Sequence, residues 1–191
     1  MTTYDFNDGN GPVAAHKHPN GGGWVADSAF VEPTAYVGPN ALVYGSARVF
    51  GDARVSGNAA VFGSAWVSGS AWVSGSAQVF GDSLVRGNAK VGGNAKVRGS
   101  AGVLGSAKVL GEAEVSGNAR VKHGNHTRTP TSVTRSDGYT FTLQDGYIVA
   151  GCRDFTLKEA KAHWCNPEHH LYQESRDIFK FLLKTHKRDN P

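Results

Sequence analysis

The chain has 191 residues, of which 20 are Lys or Arg and 16 are Asp or Glu, for a formal net charge of +4. This small excess lacks the dense basic runs of a dedicated nucleic-acid binder, so we expect small anions rather than nucleic acid as partners. No apolar run approaches the roughly 18 residues that cross a bilayer, and the opening MTTYDFNDGN lacks the regions of a signal peptide. We therefore expect a cytoplasmic protein with no membrane partner.

Residues 1–22 are rich in Gly and polar residues, and they precede a long regular repeat. A repeat that winds into a solenoid must protect its open ends, because unpaired strand edges recruit other chains. We therefore predict that residues 1–22 form an N-terminal capping segment that lies across the first coil. His16 and His18 belong to this segment, and an end-capping role is favoured over metal binding for them.

Residues 23–124 repeat one six-residue unit without an insertion or a deletion. Val recurs every six residues from Val25 to Val121, Ala stands two residues before nearly every Val, and Gly stands two residues after it from Gly45 to Gly117. The alternation along Ala-x-Val-x places Ala and Val on one side and the variable residues on the other, as in a half-buried strand. Gly followed by Ser, Asn or Asp then turns the chain. The unit therefore predicts short strands that wind into a solenoid.

This repeat resembles that of the hexapeptide-repeat superfamily, whose fold is a left-handed parallel β-helix with three units in each triangular coil. The resemblance covers residues 23–124, and the 17 units there predict an all-β solenoid of five to six coils. The HPNGGG start and the GC-containing tail with short helices are also similar to hexapeptide-repeat proteins of bacteria and tailed phages. That likeness implies the cytoplasm of a bacterium or of a phage-infected bacterial cell.

Residues 125–191 are predicted to form a small α+β cap built from a β-hairpin and two helices. Short antiparallel strands are indicated by apolar residues that alternate between Asp-Gly turns, at Tyr139, Phe141 and Leu143. Thr156 with Glu159 three residues later makes a capping box that starts the first helix. Asn166-Pro167 marks the predicted start of a second helix with an apolar stripe.

The cap also contains a cluster of potential metal ligands or nucleophiles in the stretch HWCNPEHH, namely His163, Cys165, His169 and His170. Their spacing suits a zinc ion or a Cys-His nucleophile. Packing of the cysteine in the cap, with solvated or capping histidines, is the commoner role for such residues and is favoured here. The chain has Cys152 as its other cysteine, and both are expected to be reduced thiols.

The superfamily includes acyltransferases and one class of carbonic anhydrase, so the resemblance raises the question of an enzymatic function. The acyltransferases use a coil histidine as general base beside a loop that leaves the prism, and the anhydrases bind a metal ion through three coil histidines. Between residues 23 and 122 this sequence has no histidine and no insertion. We therefore expect no catalytic residue, metal or cofactor, and we keep an acyl-coenzyme A-dependent acyltransferase as an alternative.

Residues 18 apart stack in a three-unit coil, so the variable residues can be assigned to faces. The face counted from Ala35 combines rings and cations with a column of small residues that leaves room, and it is the predicted ligand site: Tyr36, Arg54, Ser56, Trp72, Ser74, Lys90 and Lys108. The face counted from Ala29 is the alternative ligand site: Arg48, Trp66 and Arg86. The face counted from Ala41 carries an aromatic column that we predict to be the oligomer interface: Tyr44, Phe62 and Phe80.

A rigid prism with rings beside Arg and Lys suits a planar anion such as a nucleotide, through stacking and charge-assisted hydrogen bonds. We therefore predict a non-catalytic scaffold, a homotrimer or a multiple of three, that sequesters a small anionic ligand at clefts between subunits. A cyclic nucleotide is a candidate ligand, because the phage likeness implies a sponge for nucleotide signals of host immunity. The alternatives are the acyltransferase and a purely structural assembly protein in which the same residues join subunits.

Overall fold

The computed structural model of the chain describes residues 2–144, 146–151, 153–168 and 171–189. Within these residues, the strands that precede the repeat are β1 (Thr3–Tyr4) and β2 (Val13–Lys17). Eighteen described strands form the repeat: β3 (Trp24–Ala26), β4 (Phe30–Val31), β5 (Tyr36–Val37), β6 (Leu42–Val43), β7 (Arg48–Val49), β8 (Arg54–Val55), β9 (Ala60–Val61), β10 (Trp66–Val67), β11 (Trp72–Val73), β12 (Gln78–Val79), β13 (Leu84–Val85), β14 (Lys90–Val91), β15 (Lys96–Val97), β16 (Gly102–Val103), β17 (Lys108–Val109), β18 (Glu114–Val115), β19 (Arg120–Val121) and β20 (Asn125–His126). The elements described after the repeat are β21 (Ser132–Thr134), β22 (Thr140–Gln144), β23 (Tyr147–Ala150), β24 (Arg153–Thr156), α1 (Leu157–Trp164) and α2 (Tyr172–Asp189).

The repeat strands form three parallel sheets, so the solenoid has three faces. Sheet 1 has the order β1-β2-β3-β6-β9-β12-β15-β18, sheet 2 the order β4-β7-β10-β13-β16-β19, and sheet 3 the order β5-β8-β11-β14-β17-β20. Strand partners in neighbouring coils are 18 residues apart, as Trp72 and Lys90 are. About six coils of three strands result. The predicted fold class, a parallel β-helix with a small cap of strands and helices, is confirmed.

The core of the solenoid consists almost entirely of Ala and Val. Nearly all of the inward-facing Ala and Val residues between Val25 and Val121 are fully buried. The corners use Gly because its backbone adopts a positive φ, +68° at Gly75, which is costly for other residues. A Cβ atom on Gly75 would also lie 2.8 Å from the carbonyl oxygen of Gly93 in the next coil. The turn and the close stacking of the coils therefore both require Gly at this position.

The last repeat strand departs from the six-residue pattern. In β20, His126 pairs with Val109, which is 17 residues earlier rather than 18. The His126 side chain is buried, and its Nε2 donates to the carbonyl oxygen of His123 at 2.8 Å. His126 therefore takes the inward position of a repeat Val. Because the preceding turn is one residue shorter, the six-residue pattern does not predict this strand.

The N-terminal segment continues sheet 1 with the opposite strand direction. Strand β2 pairs antiparallel with β3, and β1 pairs antiparallel with β2. The turn after β2 lies against sheet 3, where the N–H of Val37 donates to the carbonyl oxygen of Asn20. His16 Nδ1 lies 2.8 Å from an Asp27 carboxylate oxygen, and the buried His18 has Nδ1 3.2 Å from the Asn20 carbonyl oxygen. These contacts place both histidines at the N-terminal end of the solenoid.

At the other end, side chains of β22 bind the exposed backbone edge of sheet 2. Gln144 Oε1 accepts from the backbone N–H groups of Lys122 at 2.8 Å and His123 at 3.1 Å, and its Nε2 donates to the carbonyl oxygen of Arg120 at 3.2 Å. Thr142 Oγ1 accepts from the N–H of Arg120 at 3.3 Å. These side chains replace the backbone partners that a further coil would supply.

Further contacts join the segment after the repeat to the last coil. Thr129 Oγ1 accepts from the backbone N–H of Glu114 at the edge of sheet 1, at 3.1 Å. Asp154 binds Lys122 Nζ at 2.7 Å and His123 Nε2 at 3.0 Å. Burial raises the pKa of Asp154, but the hydrogen bonds from Lys122 and His123 outweigh it and lower the pKa overall. The carboxylate is thereby kept charged beside the two basic groups.

The cap has an antiparallel sheet of the order β21-β22-β23-β24 among the described residues, where the sequence predicted a β-hairpin. The outer strands β21 and β24 carry few buried apolar residues, so the hydrophobic alternation does not reveal them. The sheet packs against both helices around a shared core of Phe141, Ile148, Trp164 and Leu182. The cap therefore has an apolar core of its own, separate from that of the solenoid.

Helix α1 begins where the sequence predicts, and helix α2 begins later. At α1, Thr156 Oγ1 accepts from the N–H of Glu159, and the Glu159 carboxylate accepts from the N–H of Thr156. The predicted start of α2 at Asn166-Pro167 is wrong, because the helix begins at Tyr172. Leu171 has a φ of 55°, in the left-handed region, which a right-handed helix excludes.

A buried arginine connects α2 to the cap sheet. Arg135 donates from Nε and Nη2 to the two carboxylate oxygens of Asp137, at 3.0 and 2.6 Å, and from Nη1 to Oγ of the buried Ser175 at 2.9 Å. The hydrogen bonds from Arg135 lower the pKa of Asp137 to about 2. The ion pair is therefore retained at pH values at which an ordinary carboxyl group is already protonated.

Candidate ligand groove on sheet 3

Five of the seven predicted ligand residues form one column on sheet 3, because the strand register stacks them, and Ser56 and Ser74 lie in the neighbouring column. Tyr36 pairs with Arg54, Arg54 with Trp72, Trp72 with Lys90, and Lys90 with Lys108. Each of them precedes a buried Val, so each side chain lies on the outer surface. Neighbouring members are about 5 Å apart along the solenoid. The register therefore brings rings and cations together, as the sequence predicts.

Trp72 lies at the centre of this column and is held in one orientation. Its indole Nε1 donates to Ser56 Oγ in the preceding coil at 3.0 Å. Lys90 Nζ lies 5.5 Å from the centroid of the ring, a cation–π contact. The side chain is still 43% exposed. A fixed and partly exposed ring of this kind offers a surface on which a planar ligand can stack.

An open groove of about 530 Å³ runs beside the column. Its lining residues are Asn20, Thr34, Tyr36, Asp52, Arg54, Ser70, Trp72 and Lys90. The volume lies within the range of about 300–1,000 Å³ of small-molecule sites. Neither Arg54 nor Asp52 forms an ion pair with any residue that the structure describes. The groove therefore combines aromatic rings with unpaired charges of both signs.

The groove lies on one side of the column that contains Arg54 and Trp72. The small residues, beside which the sequence predicts room for a ligand, lie on its other side. The sequence predicts room beside Ser56 and Ser74, but Gly92 in the same column is buried, and a Cβ atom on it would lie 3.2 Å from Leu110 Cδ2 and from Ser74 Oγ. Neither serine is among the described residues that line the groove, and Lys108 is not either. At the two ends of this column, Gly38 and Gly92 pack closely against the neighbouring coil, so the small residues there leave no space for a ligand.

The alternative ligand face, on sheet 2, carries an aromatic cluster that sequence reasoning missed. The Arg48 guanidinium lies 5.9 Å from the centroid of the Trp66 ring, and Arg86 is exposed on the same sheet. Phe50 lies between Trp66 and Phe30, with its centroid 5.2 Å from each of theirs. The repeat assigns these rings to one face, but their mutual contact depends on side-chain rotamers that a repeat pattern does not show.

The predicted interface residues form a stacked aromatic ladder on sheet 1. The ring centroids of Tyr44 and Phe62 are 4.9 Å apart, those of Phe62 and Phe80 are 4.8 Å apart, and the planes differ by 3° and 2°. Phe6 extends the ladder from outside the repeat, with its centroid 4.8 Å from that of Tyr44. The rings of Tyr44, Phe62 and Phe80 are half-buried, whereas Phe6 is buried. Burial, with a smaller effect of the Asp8 charge, raises the pKa of Tyr44. Part of each of the three half-buried rings therefore remains exposed.

The histidines and cysteine of the HWCNPEHH stretch do not converge among the described residues. His163 stacks on Phe155 with ring centroids 5.5 Å apart, and the half-buried Cys165 ends α1 and packs against the cap core. His169 and His170 lie outside the described residues. Within the part of the chain that the structure describes, no group of three or more His, Cys, Asp or Glu side chains could hold a metal ion.

Comparisons with known proteins agree with the architecture. Residues 53–69 match the model of the YdcK β-solenoid repeat, and no curated protein matches the chain. Neither helix in the described part of the chain combines the length and the hydrophobicity that crossing a membrane requires. The matched repeat and the stacked parallel coils together fit a hexapeptide-repeat-like superfamily.

Proposed function

We propose that this protein is a non-catalytic binding scaffold, and that the groove on sheet 3 binds a small planar anion of the nucleotide type. The observation that carries the proposal is the fixed, partly exposed Trp72 ring between Arg54 and Lys90. An aromatic ring binds a base by stacking, and Arg and Lys bind phosphate through charge-assisted hydrogen bonds. Between residues 23 and 122 the coils have no histidine that could act as a general base, and His126 of the last coil is buried and bonded to a backbone carbonyl group, so the groove supports binding better than acyl transfer.

The proposal includes assembly into a homotrimer. The ladder of Tyr44, Phe62 and Phe80 supplies half-buried rings, and each ring removed from water contributes roughly 1.5–3 kcal/mol. A neighbouring subunit that borders the groove lowers the local dielectric constant, so the Arg54 and Lys90 charges attract an anion more strongly. Such a scaffold would remove a nucleotide signal, such as a cyclic nucleotide, from the cytoplasm of a bacterium, as a phage-type sponge does.

Trp72→Ala and Arg54→Ala test the groove directly. Each is expected to weaken binding of a nucleotide by about 5- to 150-fold, because each removes a stacking surface or a phosphate partner worth about 1–3 kcal/mol. The oligomeric state is expected to stay unchanged. Titration calorimetry with GMP, AMP and cyclic di-GMP measures the affinities, and light scattering of the same samples measures the mass.

Trp66→Ala and Arg48→Ala are the matched controls, because they remove the same two residue types from the same register on sheet 2. They are expected to leave the affinity unchanged. The reverse pattern would move the site to sheet 2, and unchanged affinity in all four variants would remove the site from both columns. A collapse of the oligomer in Trp72→Ala would show that the column on sheet 3 is a subunit interface.

The double variant Phe62→Glu, Phe80→Glu tests the assembly. The wild-type protein is expected to have three times the 20.2 kDa mass of one chain, and the variant is expected to be monomeric because charges replace rings at the interface. Light scattering measures the masses, and circular dichroism of the variant checks that the solenoid is folded. Phe30→Glu, Phe50→Glu is the comparison on sheet 2. A monomeric wild-type protein refutes the trimer, and an intact trimer of the first variant moves the contact to another face.

The alternative functions differ from the scaffold in simple observations. A purely structural protein binds no nucleotide, whereas an acyltransferase turns over an acyl-coenzyme A. Mass spectrometry of small molecules that stay bound through native purification, followed by a thermal-shift screen with nucleotides and coenzyme A, separates the three.

A further inference from the structure

Asp52 places an unpaired carboxylate in the same groove, and stacking and phosphate binding leave it without a role. It follows Gly51 at the corner between sheets 2 and 3, and it lines the groove together with Arg54. Its side chain makes no hydrogen bond or ion pair with any described residue. Asp52 and Arg54 are only two positions apart, yet their charges do not pair. Each charge is therefore free to contact a ligand.

A carboxylate accepts hydrogen bonds and cannot donate them, so Asp52 selects ligand groups that donate. It repels the phosphate that Arg54 and Lys90 attract. A ligand that satisfies the groove therefore carries an anionic group at one position and N–H or O–H donors at another. Asp52 lies one coil from the level of Trp72, about 5 Å, which is a distance that one nucleotide spans.

We infer that the groove selects guanine among the nucleobases, an inference that rests on the proposed function. The Watson–Crick edge of guanine has two adjacent donors, N1–H and the 2-amino group, which match the two oxygens of one carboxylate. Adenine has one donor beside the lone pair of its N1, and that lone pair faces a carboxylate oxygen unfavourably. Asp52 thus reads the edge of the base, Trp72 stacks on its face, and the cations bind the phosphate.

Titration calorimetry with GMP and AMP tests the inference. The wild-type protein is expected to bind GMP at least tenfold more tightly than AMP, because a hydrogen bond to a charged group contributes about 1.5–3 kcal/mol. Asp52→Asn is expected to abolish the preference, because an amide offers one donor and one acceptor, the pattern that adenine matches. GMP should then bind about tenfold more weakly, and AMP as well as before or better.

Asp82→Asn is the matched control. Asp82 follows Gly81 at the corner between sheets 1 and 2, as Asp52 follows Gly51, so the substitution removes the same charge from the same kind of turn. It is expected to leave both affinities unchanged. IMP, which keeps N1–H and lacks the 2-amino group, is expected to bind the wild-type protein with an affinity between those of GMP and AMP.

The possible outcomes separate this inference from the proposed function. Equal binding of GMP and AMP to the wild-type protein overturns the guanine preference and leaves nucleotide binding intact. Weaker binding of 2′-deoxy-GMP than of GMP, with the difference lost in Asp52→Asn, also overturns it, because the carboxylate then contacts the ribose. If neither nucleotide binds the wild-type protein, the proposed function and the inference both fail.

Discussion

Gly75→Ala is expected to lower the free energy of unfolding by about 2–4 kcal/mol. Gly75 has a φ of +68°, which costs a residue with a Cβ atom about 1–2 kcal/mol. The new Cβ atom would also lie 2.8 Å from the carbonyl oxygen and 2.9 Å from the amide nitrogen of Gly93. Because both are backbone atoms, the coils can relieve the clash only by separating, which stretches the hydrogen bonds between their strands. Urea unfolding followed by circular dichroism measures the loss.

Gly117→Ala separates the two causes of this loss. Gly117 has a similar φ of +62°, but nothing lies within 4 Å of the Cβ atom that the substitution adds. This variant therefore has the cost of the positive φ alone, about 1–2 kcal/mol. The difference between the two variants measures the stacking clash. Equal losses would show that neighbouring coils move apart at little cost, contrary to the close packing inferred here.

A chain that ends at residue 124 is expected to associate end to end. Without the rest of the chain, the backbone N–H groups of Lys122 and Arg120 lose their side-chain acceptors, and β17 loses its partner β20. Unpaired edges of a solenoid pair with other chains. Sedimentation velocity is expected to show large, polydisperse species. A soluble and monodisperse product would instead identify residues 125–191 as an independent functional module.

Gln144→Met tests the same edge with one side chain. Met is similar in length to Gln but has no amide, so two backbone N–H groups and one carbonyl group of the last coil lose their partner. The expected loss of stability is about 2–3 kcal/mol, because each of the three part-buried backbone groups loses a hydrogen bond worth about 1 kcal/mol. Gln173→Met, at an exposed position of α2, is the control and is expected to change stability by less than about 0.5 kcal/mol. Equal stability of the two variants would show that the edge needs no amide.

The six-residue period is sufficient to predict the coils and the face on which each side chain lies. Because no insertion interrupts the period, counting 18 residues from Trp72 in both directions identifies Arg54 and Lys90 as its neighbours, and the strand register agrees. Burial of Ala and Val leaves the intervening residues on the surface. The alternation within each unit therefore determines which side chains lie outside, and the 18-residue spacing determines which of them are neighbours. Neither inference requires the side-chain rotamers.

The side on which the groove opens depends on rotamers, and a repeat pattern carries no information about them. Trp72 extends toward Ser56 because its indole N–H finds an acceptor there. Leu110 fills the space beside Gly92, although the small residues of this column predict that the space is empty. Small residues in a column are compatible both with a cavity and with close packing, and only the directions of the neighbouring side chains distinguish the two.

The ends of the solenoid were the least predictable part, because their partners are distant in sequence and follow no period. Phe6 joins a ladder that begins at Tyr44, and Gln144 binds the backbone of Lys122. His126 takes an inward position that Val holds elsewhere. Each of these residues supplies a contact that a further coil would otherwise make. The residues around it in the sequence give no sign of this role, so local sequence patterns do not predict it.

The cap holds the last coil largely through atoms that every coil possesses. Gln144, Thr142 and Thr129 bind backbone N–H and C=O groups, and the equivalent groups one coil earlier bind the next strand in the same way, as the N–H of Gly102 does to the carbonyl oxygen of Ala119. Duplication or loss of one 18-residue segment of the gene product would therefore leave the cap with the same docking surface. The solenoid can lengthen or shorten during evolution in increments of about 4.8 Å, and the number of side chains stacked on each face can change without a new terminus.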